Sequence, residues 1–390
     1  MDTKIFVTAD NHIGKHLKKR KFFRDFAIRN FRSIPNKIPS DVEYVVFAGD
    51  IFDKQDSDIE CYNAYIEVLS KITDMPNVKN IFIITGNHDM YSNFYNSASI
   101  DLAKSINNSN KIIMCNKDYL VWNDDKILVG LLPYSRDLFI NDEMGRRKIF
   151  NYLAQLQFEA RNFNSEFKIL ISHFAITDWM PFATGITLEE LIDNKFFNLI
   201  IMGDLHNEEY EKVDSETTVL YTGSTFHTSI IDLYQHENVS KIITIKDNCI
   251  DNIERVYYPK PTIYKINKDN VDKEIYQPAE LGQLELQEVI IITDDIDIHN
   301  ELKDRVIFSQ YSPKAIKMLE GAKNDGSVQN DTEKPLDINQ ICLQRINEDQ
   351  TLDESTKIYL TSLLNIDTDS MDNNSINEKV KELTLGDIEE

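Results

Sequence analysis

Short runs of β-branched and aromatic residues recur along the chain, and each run ends where polar residues begin. The runs cover residues 5–7, 44–47, 81–84, 169–171 and 199–201. Apolar runs of this length predict strands that are buried within a sheet. Because open α/β sheets bind ligands at the carboxyl ends of their strands, the polar residues after the runs predict one shared site.

The segments after the runs carry side chains that bind divalent metal ions. They read TADNHIG, AGDIFD, TGNHD, ISHF and MGDLH. The candidate site residues are Asp10, His12, Asp50, Asn87, His88, His173, Asp204 and His206. Each segment alone is common in polar loops. Their ordered series, with every member behind a predicted strand, indicates a two-metal phosphoesterase site.

The residue types suit that chemistry. Two divalent ions roughly 3.5 to 4 Å apart can activate water and stabilise the attacking and leaving oxygens of a phosphodiester. Such a pair needs a bridging carboxylate with nitrogen and oxygen ligands on either side. The mixed imidazole, carboxylate and amide donors favour manganese, with magnesium as the other candidate. No cysteine is among the candidate ligands, which argues against a structural zinc site.

The motifs resemble those of the calcineurin-like metallophosphoesterase superfamily, and within it the SbcD-type recombination nucleases, including those of large bacteriophages. The resemblance covers about residues 1–310, and the segments GDIFD (49–53) and GLLPYSRD (130–137) are more similar to SbcD than to a protein phosphatase. It implies an α/β fold: a metallophosphoesterase core of mixed β-sheets flanked by helices, a small α/β cap domain and a C-terminal helical pair.

The resemblance also implies an activity and partners. It implies a manganese-dependent DNA nuclease, an exonuclease on duplex ends and an endonuclease on single strands, in recombination, repair or replication. The enzyme would be the nuclease subunit of a complex with an SbcC-like ATPase of the SMC type, and a homodimer of the nuclease is a candidate assembly. Three alternatives stay open: another dinuclear-metal phosphoesterase such as a phosphatase or cyclic-nucleotide phosphodiesterase, a weakly catalytic scaffold that binds DNA ends, and an enzyme that acts on RNA.

By the same resemblance each candidate residue receives a role. The first metal would be held by Asp10, His12 and His206, the second by Asn87 and His173, and Asp50 would bridge the two. His88 would stand beside the scissile phosphate, where it stabilises the transition state or protonates the leaving oxygen.

One position departs from the family pattern. The last motif is usually Gly-His-x-His, whereas this chain has Asp204 between Gly203 and Leu205. A carboxylate therefore replaces an imidazole of the second metal site. We expect Asp204 to bind the ion through oxygen, which makes the second site harder.

The charge of the chain bears on nucleic-acid binding. The net charge is −23, which is unusual for a protein that contacts phosphates through Lys and Arg. The most basic stretch follows the first motif, and its candidate DNA-binding residues are Lys15, Lys18, Lys19, Arg20 and Lys21, followed by Arg24, Arg29 and Arg32. The alternative is a solvated charged face. Apolar residues at helical spacing in this stretch, Phe23, Phe26, Ala27, Phe31 and Ile34, predict a helix that packs on the sheet.

Composition changes predict the domain organisation. We expect a first domain at 1–258, a small cap at 259–316, a flexible linker at 317–335, a helical pair at 336–366 and an acidic mobile tail at 367–390. The resemblance implies that the first domain is the nuclease and that the cap contacts DNA. The cap is predicted to contain strands at 262–266 and 289–293 and a helix at 301–306. The helical pair is too small to bury its own apolar faces. The resemblance implies that it binds the ATPase, with the candidate residues Ile338, Ile341, Ile346, Tyr359, Leu360 and Leu363. The alternative is that the pair folds back on its own nuclease domain.

Three further local patterns lead to expectations. Ser57 and Glu60 predict a capping box for a helix that carries Ile59, Tyr62, Ile66 and Leu69 on one face. The four cysteines are scattered, and the sequence has no leader or long apolar run, so we expect no membrane segment and a cytoplasmic protein of a bacterial or phage-infected cell. Trp179 is a candidate for stacking on a base, with packing on its own domain as the alternative.

Overall fold

In the computed structural model, two six-stranded mixed β-sheets stack face to face, and helices cover their outer faces. Side chains of both sheets fill the layer between them, because successive strand residues alternate between the two faces of a sheet. Val7 and Val46 of the first sheet and Ile171 and Ile201 of the second lie in this layer.

The structure describes residues 3–311 except for 15–20, 55–56, 90–98, 135–141, 181–184, 193–194, 213–216, 228, 267–288, 294–295 and 303–307. The chain divides into two compact units, Met1–Lys323 and Asn324–Glu390, and all described residues belong to the first. The predicted linker, helical pair and tail, with the six candidate ATPase-binding residues, lie outside the described residues.

The first sheet is parallel at its centre and antiparallel at one edge. Its strands are β1 (Thr3–Thr8), β2 (Tyr44–Ala48), β3 (Asn80–Ile84), β4 (Ile112–Cys115), β13 (Val239–Lys246) and β14 (Cys249–Tyr257). Their order across the sheet is β14-β13-β1-β2-β3-β4. Strands β1 to β4 run parallel, and β13 is antiparallel to both β1 and β14.

The second sheet has four parallel strands between two antiparallel edges. Its strands are β5 (Leu120–Asn123), β6 (Ile127–Leu132), β7 (Phe167–His173), β10 (Leu199–Gly203), β11 (Glu211–Lys212) and β12 (Thr218–Tyr221). Their order is β11-β12-β10-β7-β6-β5. A two-stranded sheet of β8 (Ala175–Ile176) and β9 (Gly185–Ile186) follows β7. The strands predicted from the five apolar runs are confirmed as β1, β2, β3, β7 and β10.

Six helices are described. They are α1 (Lys21–Ser33), α2 (Ile59–Thr73), α3 (Asp142–Ala160), α4 (Leu188–Ile192), α5 (Ile230–Gln235) and α6 (Ile296–Leu302). Helices α1 and α2 pack on the outer face of the first sheet, and α3 and α4 on that of the second. Within the described residues, no helix is both long and apolar enough to span a membrane.

The helix α2 begins with a different cap from the predicted one. Its N-cap is Asp58, whose side chain accepts a hydrogen bond from the backbone nitrogen of Cys61. Ser57 donates its hydroxyl hydrogen to the carbonyl oxygen of Lys54 at 2.7 Å. Of the four residues predicted to share one face of this helix, Leu69 is buried, whereas Ile59 is 73% exposed.

The small sheet contains three parallel strands, β15 (Thr262–Ile266), β16 (Val289–Thr293) and β17 (Phe308–Tyr311). The first two occur where they were predicted, whereas β17 was not predicted. The helix predicted at 301–306 shares residues 301–302 with α6 (Ile296–Leu302), and residues 303–306 lie outside the described residues. The domain boundaries at 258 and 316 stay predictions.

The helix α1 has two apolar faces instead of the single stripe that was predicted. Phe31 and Ile34 pack with the outer face of the first sheet. Phe23 and Phe26 belong to a second cluster with residues of the small sheet, including Ile290. The helix therefore lies between the core and the small sheet.

Candidate metal centre

All eight residues predicted for the site lie within or just after β1, β2, β3, β7 and β10, at the carboxyl ends of these strands. The first sheet supplies Asp10, His12, Asp50, Asn87 and His88, and the second supplies His173, Asp204 and His206. The site therefore lies where the carboxyl ends of the strands of the two stacked sheets meet. Its donor atoms form overlapping groups: Asp10, His12 and His206 in one, Asp10, Asp50 and His173 in another, and His12, Asp50 and His88 in a third. The first two are described in turn.

The first group contains Asp10, His12 and His206. The Nε2 atoms of His12 and His206 are 3.0 Å apart, and Nε2 of His206 is 3.9 Å from Oδ1 of Asp10. Two imidazole nitrogens at this separation need a proton or a cation between them, because their lone pairs repel. The group therefore has the donors and the spacing of a cation site.

The second group surrounds Nε2 of His173. This atom is 3.1 Å from Oδ1 of Asn87, 3.5 Å from Oδ1 of Asp50 and 4.0 Å from Oδ1 of Asp204. The other ring nitrogen of His173, Nδ1, lies 2.7 Å from the carbonyl oxygen of Ala48. Because a carbonyl oxygen only accepts, Nδ1 carries the hydrogen and Nε2 faces the group.

Asp50 lies between the two groups. Its Oδ2 is 3.7 Å from Nε2 of His12, and its Oδ1 is 3.5 Å from Nε2 of His173. Each oxygen of one carboxylate therefore faces a different group, which is what a bridging ligand requires. The side chain is buried, so its orientation is fixed by its surroundings.

The electrostatics of the site favour bound cations. Burial raises the pKa of Asp10, and the charges of Asp50 and Asp204 raise it further. Burial likewise raises the pKa of Asp204. Burial opposes protonation of His173, but the neighbouring carboxylates, Asp50 above all, outweigh it and raise the pKa to about 10. Metal binding at such a nitrogen displaces the proton that the carboxylates attract.

Four of the candidate ligands have backbone conformations that non-glycine residues rarely adopt. The φ angles are 49° for Asp10, 44° for His12, 51° for Asp50 and 97° for Asp204. A left-handed residue of this kind costs of order 1–3 kcal/mol and tends to occur at functional sites. The backbone is therefore bent at the points where these side chains enter the site.

His88 occupies the open side of the site, with its side chain 37% exposed. Its Nδ1 lies 2.8 Å from the carbonyl oxygen of Asp53, so Nδ1 donates and Nε2 remains for a substrate. Nε2 is 4.0 Å from Oδ2 of Asp50. The backbone nitrogen of His88 donates to Oδ1 of Asp50 at 2.8 Å, which fixes the position of the histidine relative to the Asp50 carboxylate.

Two carboxylates of the same motifs were not assigned a role from the sequence. The buried carboxylate of Asp53 lies 3.8 Å from Nδ1 of His12 and 3.9 Å from Nδ1 of His88. Asp89 accepts hydrogen bonds from the backbone nitrogens of Phe52 at 2.9 Å and Gly86 at 3.0 Å, and burial raises its pKa to about 7. Both aspartates end segments that the sequence did single out, GDIFD and TGNHD.

A glycine is required at position 86, within the segment TGNHD. A Cβ atom on Gly86 would collide with Oδ1 of Asp50. Glycine therefore allows the segment TGNHD to lie directly against the Asp50 carboxylate.

The described residues include only part of the candidate DNA-binding stretch. Lys15, Lys18, Lys19 and Arg20 lie outside the described residues, and Lys21 is the first residue of α1. Further along the helix, the Arg24 guanidinium contacts Asp58 at 2.7 Å and Glu60 at 3.3 Å. Arg32 contacts Glu60 at 3.4 Å and Glu67 at 3.2 Å.

Trp179 packs on its own domain. Its ring stacks on that of Tyr210, with the centroids 5.7 Å apart and the planes 1° from parallel. It also meets the ring of Tyr221 edge to face. This is the alternative to base stacking that the sequence left open.

Residues 3–208, more than half of the chain, match the family model described as calcineurin-like phosphoesterase. The match covers every candidate ligand, and the architecture of two mixed sheets flanked by helices confirms the predicted fold class of the core. The family typically binds two divalent metal ions, and the two groups of donors around Asp50 fit such a pair.

Two archaeal relatives carry the name DNA double-strand break repair protein Mre11. The one from Methanosarcina acetivorans is 27% identical over 238 residues, which are 58% of this chain and 34% of that protein. The one from Methanosarcina mazei is 26% identical over 241 residues, with the same two shares. The chain thus aligns with about a third of the length of these curated relatives.

Solved structures of other proteins are similar at low identity. The phosphopantetheinyl hydrolase PptH of Mycobacterium tuberculosis is 14% identical, with a TM-score of 0.37 over 57% of this chain and 90% of that chain. The protein TT1561 of Thermus thermophilus is 10% identical, with a TM-score of 0.42 over 66% of this chain and 99% of that chain.

Proposed function

The chain belongs to the calcineurin-like phosphoesterase family and is a metal-dependent hydrolase of phosphoester bonds, and we propose that its substrate is DNA. The observation that carries the proposal is the placement of Asp50 between two groups of metal donors, with His88 on the open side. A site of this kind suits a phosphodiester that approaches from solvent. The name of the Mre11 relatives, which refers to DNA double-strand break repair, favours DNA among phosphodiesters.

The proposed assignment gives each residue one task. Asp10, His12 and His206 hold one ion, Asn87, His173 and Asp204 hold the other, and Asp50 bridges them. When bound, the ions supply activated water and stabilise the charge that develops on the phosphate. The mixed donors suit Mn²⁺, with Mg²⁺ as the second candidate.

His88 acts on the substrate and not on the ions. The carbonyl oxygen of Asp53 fixes the hydrogen of the ring on Nδ1. Protonated at Nε2, the ring can donate a hydrogen bond to a phosphate oxygen or transfer the proton to the leaving oxygen. Its exposure leaves Nε2 accessible to a substrate.

Further parts of the proposal rest on the SbcD resemblance. We propose an exonuclease on duplex ends and an endonuclease on single strands, with Lys15, Lys18, Lys19, Arg20 and Lys21 in contact with DNA. The partner is an SbcC-like ATPase bound through the helical pair, and a homodimer is the candidate assembly of the nuclease itself. The cellular setting is recombination, repair or replication in the cytoplasm of a bacterial or phage-infected cell.

A metal titration on three substrates tests the proposal. The full chain is freed of metal with chelator and titrated with Mn²⁺ on labelled linear duplex DNA, on single-stranded DNA and on bis(p-nitrophenyl) phosphate. We expect cleavage of all three, with DNA preferred. The variant Asp50→Asn, prepared identically, should be inactive and so controls for contaminating nucleases. Hydrolysis of the small diester without cleavage of DNA would contradict the proposal.

One observation favours a smaller phosphoester as a second candidate substrate. Arg24 and Arg32 of α1 are both matched with carboxylates. Paired cations contribute less to phosphate binding than unpaired ones. The same three-substrate assay separates this candidate from a DNA nuclease.

Removal of the chain after Lys334 is expected to leave Mn²⁺-dependent nuclease activity intact and to abolish co-purification with the SbcC-like ATPase. The reason is that the predicted helices have apolar faces too large for so small a unit to bury alone. Activity and pull-down are measured on the same preparation. The full-length double variant Leu360→Glu with Leu363→Glu is the matched control and should lose the partner in the same way. A truncated protein that unfolds, or that still binds the ATPase, would place the helices in the nuclease core.

A further inference from the structure

Residues 224–227, which we call the joint, connect the first metal motif to the small sheet. The segment follows β12 and begins beside β1, where Ser224 pairs with Ala9. The hydroxyl of Ser224 donates to the carbonyl oxygen of Asp10 at 2.6 Å. The joint therefore touches the backbone of a proposed metal ligand directly.

The second link runs through Asn11, which lies between the ligands Asp10 and His12. Its side-chain nitrogen donates to the hydroxyl of Thr225 at 3.0 Å and to that of Thr8 at 3.1 Å. Asn11 is fully buried. The first motif and the joint are thus joined by two hydrogen bonds shielded from water, where such bonds are strongest.

Asn30 of α1 continues the chain of contacts toward the small sheet. Its side-chain nitrogen donates to the carbonyl oxygen of Thr225 at 2.8 Å and to that of Pro259 at 2.9 Å. Pro259 lies three residues before β15, and Asn238 donates to the same carbonyl at 3.1 Å. Both hydrogens of one buried amide are therefore used to hold the joint and the entrance to the small sheet together.

The orientation of the Asn30 amide follows from this network. Reversing the side chain would place its oxygen against two carbonyl oxygens, and none of the three can donate a hydrogen. Asn30 is 1% exposed, so water cannot replace a lost donor at low cost. A carboxylate at this position would face both carbonyls without any hydrogen to donate.

The apolar part of the joint supports the same connection. The ring of Phe226 is fully buried, stacked on Phe26 with centroids 5.6 Å apart and edge to face with Phe23 at 6.0 Å. Ile290 and Ile292 of β16 complete this cluster. The small sheet therefore packs on Phe226, the residue next to Thr225.

We propose that the joint and Asn30 couple the position of the small sheet to the metal motif, which makes Asn30 a positioning residue for long substrates. This inference rests on the proposed action on DNA. A small diester needs only the ions and His88, whereas a polymer also extends beyond them. Loosening the joint should then weaken the use of DNA and spare the small diester.

The variant Asn30→Asp tests the proposal on the full chain with Mn²⁺. We expect the KM for linear duplex DNA to rise about tenfold, because the lost hydrogen bonds loosen the joint and the small sheet is then less well positioned for a long substrate. The kcat for bis(p-nitrophenyl) phosphate should stay within about twofold of the wild-type value, because the ligands keep their own backbone contacts. An unchanged KM for DNA in folded protein, or an equal loss on both substrates, would overturn the proposal.

A matched variant separates positioning from general destabilisation. Tyr65→Phe removes one buried hydrogen bond, from the Tyr65 hydroxyl to the carbonyl oxygen of Ile100 at 3.0 Å, within the core next to α2. We expect it to lower the melting temperature without separating the two substrates. Should Asn30→Asp fail to fold, Phe226→Leu loosens the same joint through its apolar side and is expected to show the same separation.

Hydrogen exchange tests the coupling independently of DNA cleavage. In Asn30→Asp the amides of β16 should exchange faster, while those of β1 and β2 keep their wild-type rates. Equal rates in β16 of variant and wild type would reject the coupling. If the wild-type chain hydrolyses the small diester but not DNA, the proposed substrate is wrong, and the exchange rates still decide whether the joint couples the two parts.

Discussion

Replacement of His88 by alanine is expected to lower DNA cleavage about a hundredfold to a thousandfold while two metal ions stay bound. Removing one preorganised transition-state donor costs about 2.7 to 4 kcal/mol, which corresponds to that loss in rate. The ions should remain because Nδ1 of His88 is directed at the carbonyl oxygen of Asp53, and Nε2 is 4.0 Å from Asp50 on the exposed side. Calorimetric titration with Mn²⁺ gives the number of ions, and single-turnover cleavage gives the rate.

His236→Ala is the matched control for this variant. It also removes an imidazole, but one outside both donor groups around Asp50, paired with Glu208 at 3.9 Å. We expect it to keep both the metal stoichiometry and the cleavage rate. Loss of one ion from His88→Ala would reject the assignment, because it would make His88 a ligand.

The candidate ligands could be predicted from the sequence because each signal is local. A run of apolar residues followed by Asp, His or Asn identifies both the strand and the side chain at its end. Parallel order then brings such ends together, as for Asp10 after β1 and Asp50 after β2. The assignment of the donors to two groups around Asp50 could likewise be predicted, from the positions of the strand ends together with the family resemblance.

The supporting residues could not be found in this way, since their partners are distant in sequence. The role of Asp89 depends on the backbone of Phe52, and that of Asn30 on the carbonyls of Thr225 and Pro259. An aspartate or asparagine with such partners has the same local pattern as one in a polar loop. Only the packing of the chain decides between the two.

Two misplaced local features have physical causes as well. Ser57 and Asp58 are both good N-cap residues, and the choice of Asp58 follows from the hydrogen bond that Ser57 makes to Lys54. In α1 the helical period identified the apolar residues but not their partners. Phe31 packs on the first sheet and Phe26 on the small sheet, which a single stripe cannot reveal.

Replacement of Asp204 by alanine is expected to lower the affinity for the second metal ion by more than about a hundredfold and to stop cleavage at limiting Mn²⁺. Removal of a residue that only orients a metal ligand typically lowers metal affinity roughly 10- to 100-fold. Removal of a ligand itself should therefore lower it further. Oδ1 of Asp204 is 4.0 Å from Nε2 of His173, the nitrogen at the centre of the second group. The backbone nitrogen of Asp204 donates to Oδ1 of Asp10 at 3.1 Å. Because a change of the side chain does not remove this donor, we expect the first group to persist.

The side chain at this position should also set the metal preference. Asp204→His restores the family pattern and replaces a hard, charged oxygen with a neutral nitrogen, so we expect activity to be retained with a shift toward Zn²⁺ or Co²⁺. Asp204→Asn is the matched control: it has the shape of aspartate and an oxygen donor but no charge, and should bind Mn²⁺ with intermediate affinity. Each variant is titrated with Mn²⁺, Zn²⁺ and Co²⁺ by calorimetry and assayed on linear duplex DNA. Full activity of Asp204→Ala at limiting Mn²⁺ would mean that Asp204 is not a ligand and that Asp50, Asn87 and His173 suffice to hold the second ion.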